Sequence, residues 1–169
     1  MKKLFFAACI VFCGIVSLQA QPGKYAGSMK KLIGKIYTGS RNIAALKGWK
    51  FREGSVLNPL TDPEMILADV VQKGTTCIVF FSIKEDTAIE EYKIADVIEI
   101  KGVVKGWAIK TALCRQNKIE TAYIFAWLKE TATDYLTTIK KAWRFNPDKR
   151  RIEPFPVKGI DCINEGFGE

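Results

Sequence analysis

After residue 48, apolar and polar positions mostly alternate with a period of two, which is typical of β-strands. Short polar or glycine-containing segments separate these runs, which favours neighbouring strands that pair antiparallel. Residues 77–83 are apolar at almost every position and predict a central strand covered on both faces. The other predicted strands are 49–52, 92–100, 107–113, 123–128 and an edge strand at 150–155, which contains Pro154.

Two segments have helical spacing instead. Met29, Leu32, Ile33, Ile36 and Tyr37 recur at i, i+3, i+4, i+7 and i+8, which predicts an amphipathic N-terminal helix. The apolar positions at 135, 136, 139, 142 and 143 predict a later short helix. Residues 66–72 fit either a helix that begins at 61–64 or a strand of a hairpin that turns at 73–74, and we favour the hairpin. The predicted fold class is therefore α+β: an antiparallel meander of about five to six strands, with the early and the late helix packed on it.

The first twenty residues have the layout of a secretory signal peptide. Lys2 and Lys3 precede an unbroken apolar run at 4–16, and a small residue, Ala20, offers a cleavage site. The alternatives are an uncleaved anchor and lipidation at Cys9 or Cys13. We expect an exported protein, periplasmic or secreted, with no transmembrane segment after cleavage. Residues 21–169 then form a single α+β domain, with a flexible start at 21–28 and a loop tail at 156–169.

Three cysteines follow the predicted cleavage site. An oxidising compartment allows one bridge among them and leaves one thiol. Cys77 lies in the most apolar strand, where a free cysteine behaves as a small buried hydrophobic residue. We therefore favour a Cys114–Cys162 disulfide. The alternative, a nucleophilic cysteine, would need a cation or a helix N-terminus to lower its pKa.

The chain contains no histidine. This excludes catalytic Ser-His and Cys-His pairs and the common histidine metal sites. The glycine-rich phosphate loops, Cys-x-x-Cys and calcium-loop patterns are absent too, so we predict no cofactor and no metal. Carboxylates are the remaining acid–base candidates, and Asp96 and Glu99 are the two we select. In a strand their odd spacing would place them on opposite faces, whereas in a helix they would share one.

The formal net charge of +8 is unevenly distributed. Residues 24–52 carry eight bases and no acid, a second basic cluster lies at 140–151, and acids concentrate at 85–99. In a strand at 49–52, Trp49 and Phe51 would face the core while Lys50 and Arg52 face solvent. This distribution predicts a basic face that binds an anionic ligand, made by Lys30, Lys31, Lys35, Lys50, Arg52, Lys141 and Arg144.

The sequence thus favours a non-enzymatic exported module that binds a protein partner or an anionic surface ligand. Nucleic acid is a less favoured partner because the aromatic residues beside the bases are expected to be core residues rather than stacking platforms. The alternative function is a carboxylate-based hydrolase of envelope polysaccharide, which requires two converging acids. The missing histidine excludes histidine-dependent catalysis and the charge predicts an anion-binding face, but neither identifies a specific activity.

Overall fold

The computed structural model describes residues 27–58, 64–84, 91–165 and Phe167. Over these residues the chain is nearly all β, so the predicted α+β class is wrong. The helical content of the described residues is three short 3₁₀ helices, Gly27–Leu32, Ser40–Asn42 and Ala44–Leu46. The predicted signal peptide at 1–20, and residues 61–63 of the possible helix start, lie outside the described residues.

The strands form three antiparallel sheets. The first sheet contains β1 (Ile36–Tyr37), β2 (Lys50–Val56), β3 (Ile66–Lys73), β4 (Thr76–Lys84) and β5 (Tyr92–Lys101), in the order β1-β5-β4-β3-β2. The second contains β6 (Trp107–Thr111), β9 (Ile124–Lys129), β11 (Ile139–Asn146) and β12 (Arg151–Phe155), in the order β12-β11-β9-β6. The third contains β7 (Cys114–Gln116), β8 (Ile119–Glu120), β10 (Tyr135–Leu136) and β13 (Ile160–Ile163), in the order β10-β13-β7-β8.

The predicted N-terminal helix is replaced by a 3₁₀ helix, a turn and the short strand β1. Gly34 is the cause, because it adopts the left-handed conformation with φ of 82°, which an α-helix interior does not allow. Its backbone N–H donates to the carbonyl of Ile94 at 2.8 Å, so the chain turns onto the edge of β5. Leu32 and Tyr37 are still buried and Met29 and Ile33 pack against them, but Ile36 is exposed, so the segment contributes to the core from irregular backbone.

The predicted late helix is also wrong, since Tyr135–Leu136 and Ile139–Asn146 are the strands β10 and β11. The register of β11 on β9 shifts between Ile139 and Lys141. This β-bulge changes which face successive residues occupy, and β11 also buries residues on both of its faces. A strand that contains a bulge and is buried on both faces therefore has apolar residues at the spacing expected of a helix.

Four other predictions can be compared directly with the structure. Residues 66–72 lie in β3 and form a hairpin with β4, which confirms the hairpin interpretation. β4 is central in its sheet and β12, with Pro154, is at an edge, as predicted. The tail at 156–169 is not entirely loop, because β13 lies within it and pairs with both β10 and β7.

The predicted disulfide is confirmed: Cys114 of β7 and Cys162 of β13 are bonded and lie directly opposite each other. Cys77 is a buried free thiol, and burial raises its pKa to about 11, so it is protonated at neutral pH. A disulfide fits an extracellular location. No helix in the described part of the chain is both long and apolar enough to cross a membrane.

The molecule is layered, with a separate apolar core between each pair of layers. The largest core lies between the facing surfaces of the first and second sheets and contains Phe81, Phe125, Trp127 and Phe145. A second core lies under the N-terminal segment, on the outer face of the first sheet. The third core, around the disulfide, joins the second sheet to the third.

The first two sheets meet at two seams, and a carboxylate crosses each one. At the β2–β6 seam, Glu53 accepts hydrogen bonds from the backbone N–H and the hydroxyl of Thr111, each at 2.6 Å. At the β5–β12 seam, Asp96 accepts the N–H of Ile152 at 2.7 Å and that of Val97 at 2.8 Å. Carboxylate oxygens thus complete hydrogen bonding where the two sheets do not pair strand to strand.

Candidate functional site

The N-terminal segment presents a group of cations that we call the basic layer. Its members are the exposed cations of the acid-free segment 27–48, which precedes β2: Lys30, Lys31, Lys35, Arg41 and Lys47. None of the five forms an ion pair with another described residue. Their charge is therefore available to an external anion.

Apolar residues of the same segment hold the basic layer in place. Leu32, Tyr37, Ile43 and Leu46 are buried against the outer face of the first sheet. Along the segment these buried residues alternate with lysine and arginine. The apolar side chains therefore face the sheet, and the cations face solvent. The layer is fixed by its own hydrophobic contacts and does not need charge pairing.

A hollow of about 470 Å³ opens within the basic layer, and we call it the N-terminal hollow. Lys31 and Lys35 lie at its border, and Ile36, which is 56% exposed, contributes apolar surface. The remaining lining is largely apolar: Leu32, Asn42, Ile43, Ala44 and Ala45. The hollow thus combines accessible hydrocarbon with two cations that have no ion-pair partner in the described part of the chain.

The other predicted basic residues lie elsewhere. Lys50 and Arg52 are on β2, where the register on β3 shifts between Phe51 and Glu53. This bulge interrupts the expected alternation and leaves Phe51 43% exposed, contrary to its predicted core position. Lys141 lines a cavity between β5 and β11, and Arg144 is bound to Glu153 at 2.9 Å. The predicted residues therefore do not form one continuous face.

The bulge on β2 borders a second opening, which we call the mouth cavity. It has a volume of about 530 Å³ and lies between β2 and β6, next to the loop that connects β5 to β6. Its deeper wall is apolar and includes Val70, Cys77, Val103 and Ile109, all buried. Polar and charged groups border the entrance: Arg52, Glu53, Gln72, Lys105, Lys110 and Glu130.

A third opening, of about 360 Å³, lies at the β5–β12 seam. The ammonium group of Lys140, the residue inserted at the β11 bulge, lies 3.8 Å from the ring centroid of Trp127. Trp127 is buried, and its indole N–H is the one buried side-chain polar group without a hydrogen-bond partner among the described residues. The protein's own lysine therefore covers the aromatic surface nearest to this opening.

The two acid candidates do not converge. Asp96 is fully buried at the β5–β12 seam, opposite Phe81 of the main core. Glu99 lies opposite Ile78 on the other face of β5, where it accepts hydrogen bonds from the backbone and hydroxyl of Ser28 at 3.1 and 2.9 Å. These contacts lower the pKa of Glu99 through the hydrogen bonds from Ser28 and Lys101, against the opposing effect of burial.

No protein-family model, curated protein or solved structure matches this chain.

A buried polar network lies beneath the N-terminal segment. The hydroxyl of Tyr37 donates to Asp69 at 2.9 Å and contacts the Ser82 hydroxyl at 3.0 Å. Burial raises the pKa of Asp69, and the hydrogen bond from Tyr37 opposes that effect only in part. Burial also raises the pKa of Tyr37, so its hydroxyl remains a donor.

We expect Asp69→Asn to change how stability depends on pH. Because the folded-state pKa is raised, ionisation of Asp69 favours the unfolded chain, and stability falls as pH rises from about 4 through the folded-state pKa. Asparagine keeps an acceptor for Tyr37 and cannot ionise. Urea unfolding between pH 4 and 8 should therefore show a flatter profile and a more stable variant at pH 7. Asp134→Asn, at an exposed carboxylate, is the control, and an unchanged profile for Asp69→Asn would contradict the interpretation.

Sequence reasoning missed the mouth cavity. Its residues come from β2, β3, β4, β6 and the connecting loops, and no local pattern joins them. The one available signal was the glycine-containing stretch at 102–106, where Gly102 and Gly106 have positive φ values of 85° and 80° and shape the loop beside the cavity.

Proposed function

We propose that this protein is a non-enzymatic, exported binding module that attaches to an anionic lipid surface through the basic layer. The observation that carries the proposal is the set of five exposed cations without an ion-pair partner among the described residues. The confirmed disulfide supports a location outside the cytoplasm, where such surfaces are accessible.

The electrostatic attraction between the basic layer and an anionic bilayer is large enough to hold the protein at the membrane surface. A lysine or arginine close to an anionic bilayer contributes about 1 kcal/mol, and the attraction decays within a Debye length of about 8 Å at physiological salt. The cations of the basic layer lie within one short segment that follows the outer face of the first sheet. A bilayer can therefore meet several of them together, which a small soluble anion cannot.

The N-terminal hollow favours a lipid surface over a purely polar polyanion. Ile36 is 56% exposed between Lys35 and the buried Tyr37, and Ala44 and Ala45 are exposed at the same opening. Apolar side chains beside lysines can enter the boundary between headgroups and acyl chains while the cations stay at the phosphates. A polyanion without hydrocarbon would leave this apolar surface in water.

The hydrolase alternative receives less support from the geometry. Such an enzyme needs two carboxyl groups that face the same bond of the sugar chain. Asp96 and Glu99 lie on opposite faces of β5, and both oxygens of Asp96 accept backbone N–H groups inside the seam. Binding is therefore the function that we propose.

The test is sedimentation with vesicles of phosphatidylglycerol and phosphatidylcholine, compared with phosphatidylcholine alone. We expect binding only to the anionic vesicles, with a steep decrease as salt is raised. Lys31→Gln with Lys35→Gln should weaken the partition coefficient roughly 30-fold, because two charges worth about 1 kcal/mol each are lost. Every variant is compared in the same processed form of the chain.

The matched control is Lys118→Gln with Lys158→Gln. These two exposed lysines lie in the turns of the third sheet, on the side of the molecule away from the N-terminal segment. They remove the same charge, and because charges beyond a Debye length are screened we expect about a twofold effect. Equal losses in both double variants, or retention on heparin without vesicle binding, would reject the lipid-surface proposal.

A further inference from the structure

The mouth cavity is a consequence of how β2 and β6 meet. Their seam is held at one end, where the hydroxyls of Ser55 and Thr111 lie 2.8 Å apart and Glu53 binds Thr111. Towards the other end, from Arg52 on β2 to Trp107 on β6, the two strands border an opening of about 530 Å³. This volume is within the range of about 300–1,000 Å³ that small-molecule sites occupy.

The interior of the cavity fits a hydrocarbon group. Its buried wall is formed by Val70, Val103, Ile109 and the protonated thiol of Cys77. Trp107 and Ala108 continue the wall along β6, and Val104, which is 51% exposed, stands at the entrance. An apolar chain or ring in this space would remove these side chains from water.

The entrance can accept an anion at Arg52 and Lys105, whereas the third cation, Lys110, is paired with one of the two carboxylates there, Glu53, and the other carboxylate, Glu130, is exposed. Glu53 accepts two hydrogen bonds from Thr111 and lies 3.6 Å from the ammonium of Lys110. Arg52 donates its Nε to the neutral side chain of Gln72 at 2.8 Å and forms no ion pair with a described residue. Lys105 is likewise without an ion-pair partner in the described part of the chain.

We propose that the mouth cavity binds a small amphipathic molecule with one terminal anionic group, which Arg52 binds at the entrance while the apolar part lies against Val70, Val103 and Ile109. A guanidinium with free N–H groups can form a two-point contact with a carboxylate or a phosphate. The proposal does not depend on the basic layer, since none of that layer's cations lines this cavity.

Cys77 provides a direct measure of occupancy. Its thiol lies in the cavity wall, so a bound molecule should shield it from a small thiol reagent. The rate of modification is read at Cys77 by peptide mass spectrometry, with decanoate, decyl phosphate, decanol or decyltrimethylammonium added. We expect protection by decanoate, decyl phosphate or both, and the pattern identifies the headgroup as a carboxylate, a phosphate or either.

Two variants test the geometry, each with a matched control. Arg52→Met should weaken decanoate binding in calorimetry about tenfold, the effect of losing a charge-assisted hydrogen bond, whereas Lys158→Met, at an exposed lysine outside the basic layer and the mouth cavity, should not. Val104→Trp places a ring at the entrance and should abolish protection of Cys77, whereas Ile119→Trp, at a residue 70% exposed on the third sheet, should not. Both target side chains are exposed, so folding is expected to survive.

Three results would overturn the proposal. They are protection by decanol as strong as by decanoate, equal effects of Arg52→Met and Lys158→Met, and absence of protection by any of the four compounds. Vesicle binding through the basic layer can fail while Cys77 protection succeeds, and the reverse is equally possible. The two proposals are therefore tested separately.

Discussion

Replacing Asp96 with alanine should lower the free energy of unfolding by about 4 kcal/mol, because two buried backbone N–H groups each lose their hydrogen-bond acceptor at about 1–3 kcal/mol. Asp96 is fully buried and accepts hydrogen bonds from Ile152 at 2.7 Å and Val97 at 2.8 Å. Because β12 is an edge strand of the second sheet, the N–H of Ile152 has no further strand of that sheet to accept it once Asp96 is removed. The loss is a large part of the 5–15 kcal/mol that stabilises a typical domain.

Urea denaturation followed by tryptophan fluorescence measures this loss. Asp96→Asn is expected to recover only part of it, because an amide offers one acceptor oxygen and turns an N–H₂ group towards the second backbone donor. Glu120→Ala removes an exposed carboxylate and should change stability by less than about 0.5 kcal/mol. A decrease below about 1 kcal/mol for Asp96→Ala would show that the β5–β12 seam is held by packing alone.

Breaking the Cys114–Cys162 disulfide should cost about 4 kcal/mol, since the bond closes a loop of 48 residues in the unfolded chain. Both cysteines are buried in the third core, so the substitutions Cys114→Ala and Cys162→Ala also remove packed atoms. The double variant should therefore unfold at a lower urea concentration, with the midpoint measured by circular dichroism.

Reduction of the unsubstituted protein separates the cross-link from the packing. Dithiothreitol should cause most of the loss seen in the double variant and should not destabilise the double variant further. A Cys77→Ser variant should respond to dithiothreitol as the unsubstituted protein does, because Cys77 is a free thiol. Stability that is indifferent to reduction would contradict a structural role for the bond.

The strands were predictable where residues with a high preference for β-structure follow one another along the chain. Residues 77–83 and 123–128 contain mainly β-branched and aromatic residues, and both form central or inner strands. The disulfide was also predictable, because Cys77 belongs to an apolar strand and only two other cysteines follow the predicted leader. In these places local composition and tertiary position favour the same structure.

The helices were mispredicted because apolar spacing records burial and not backbone conformation. β11 has a core on each side, with Ala142 in the third core and Trp143 in the main core, so its apolar residues do not alternate. The bulge at Lys140 adds one residue and completes the helix-like pattern. At the N-terminus, Gly34 was the local sign against a helix, and its φ of 82° shows why it should have outweighed the periodicity.

Of the two candidate binding regions, the basic layer was predictable from the sequence and the mouth cavity was not. Lys30, Lys31 and Lys35 were identified from the acid-free stretch, and the structure leaves them exposed and without ion pairs among the described residues. The mouth cavity depends on which strands meet at the seam, and the pairing of distant strands is not recorded in local sequence. Arg52 was selected for its charge, whereas the cavity beside it comes from the β2 bulge and the β6 edge.

The position of β13 determines how the third sheet is assembled. β13 (Ile160–Ile163) is an inner strand of that sheet, between β10 and β7, although it is the last of the described strands in chain order. Without β13, β10 and β7 have no neighbour in common, and Cys114 has no disulfide partner. A chain truncated before Ile160 would therefore keep the strands of the first two sheets and the β7–β8 hairpin, but it would lose both the strand and the cross-link that hold the third sheet together.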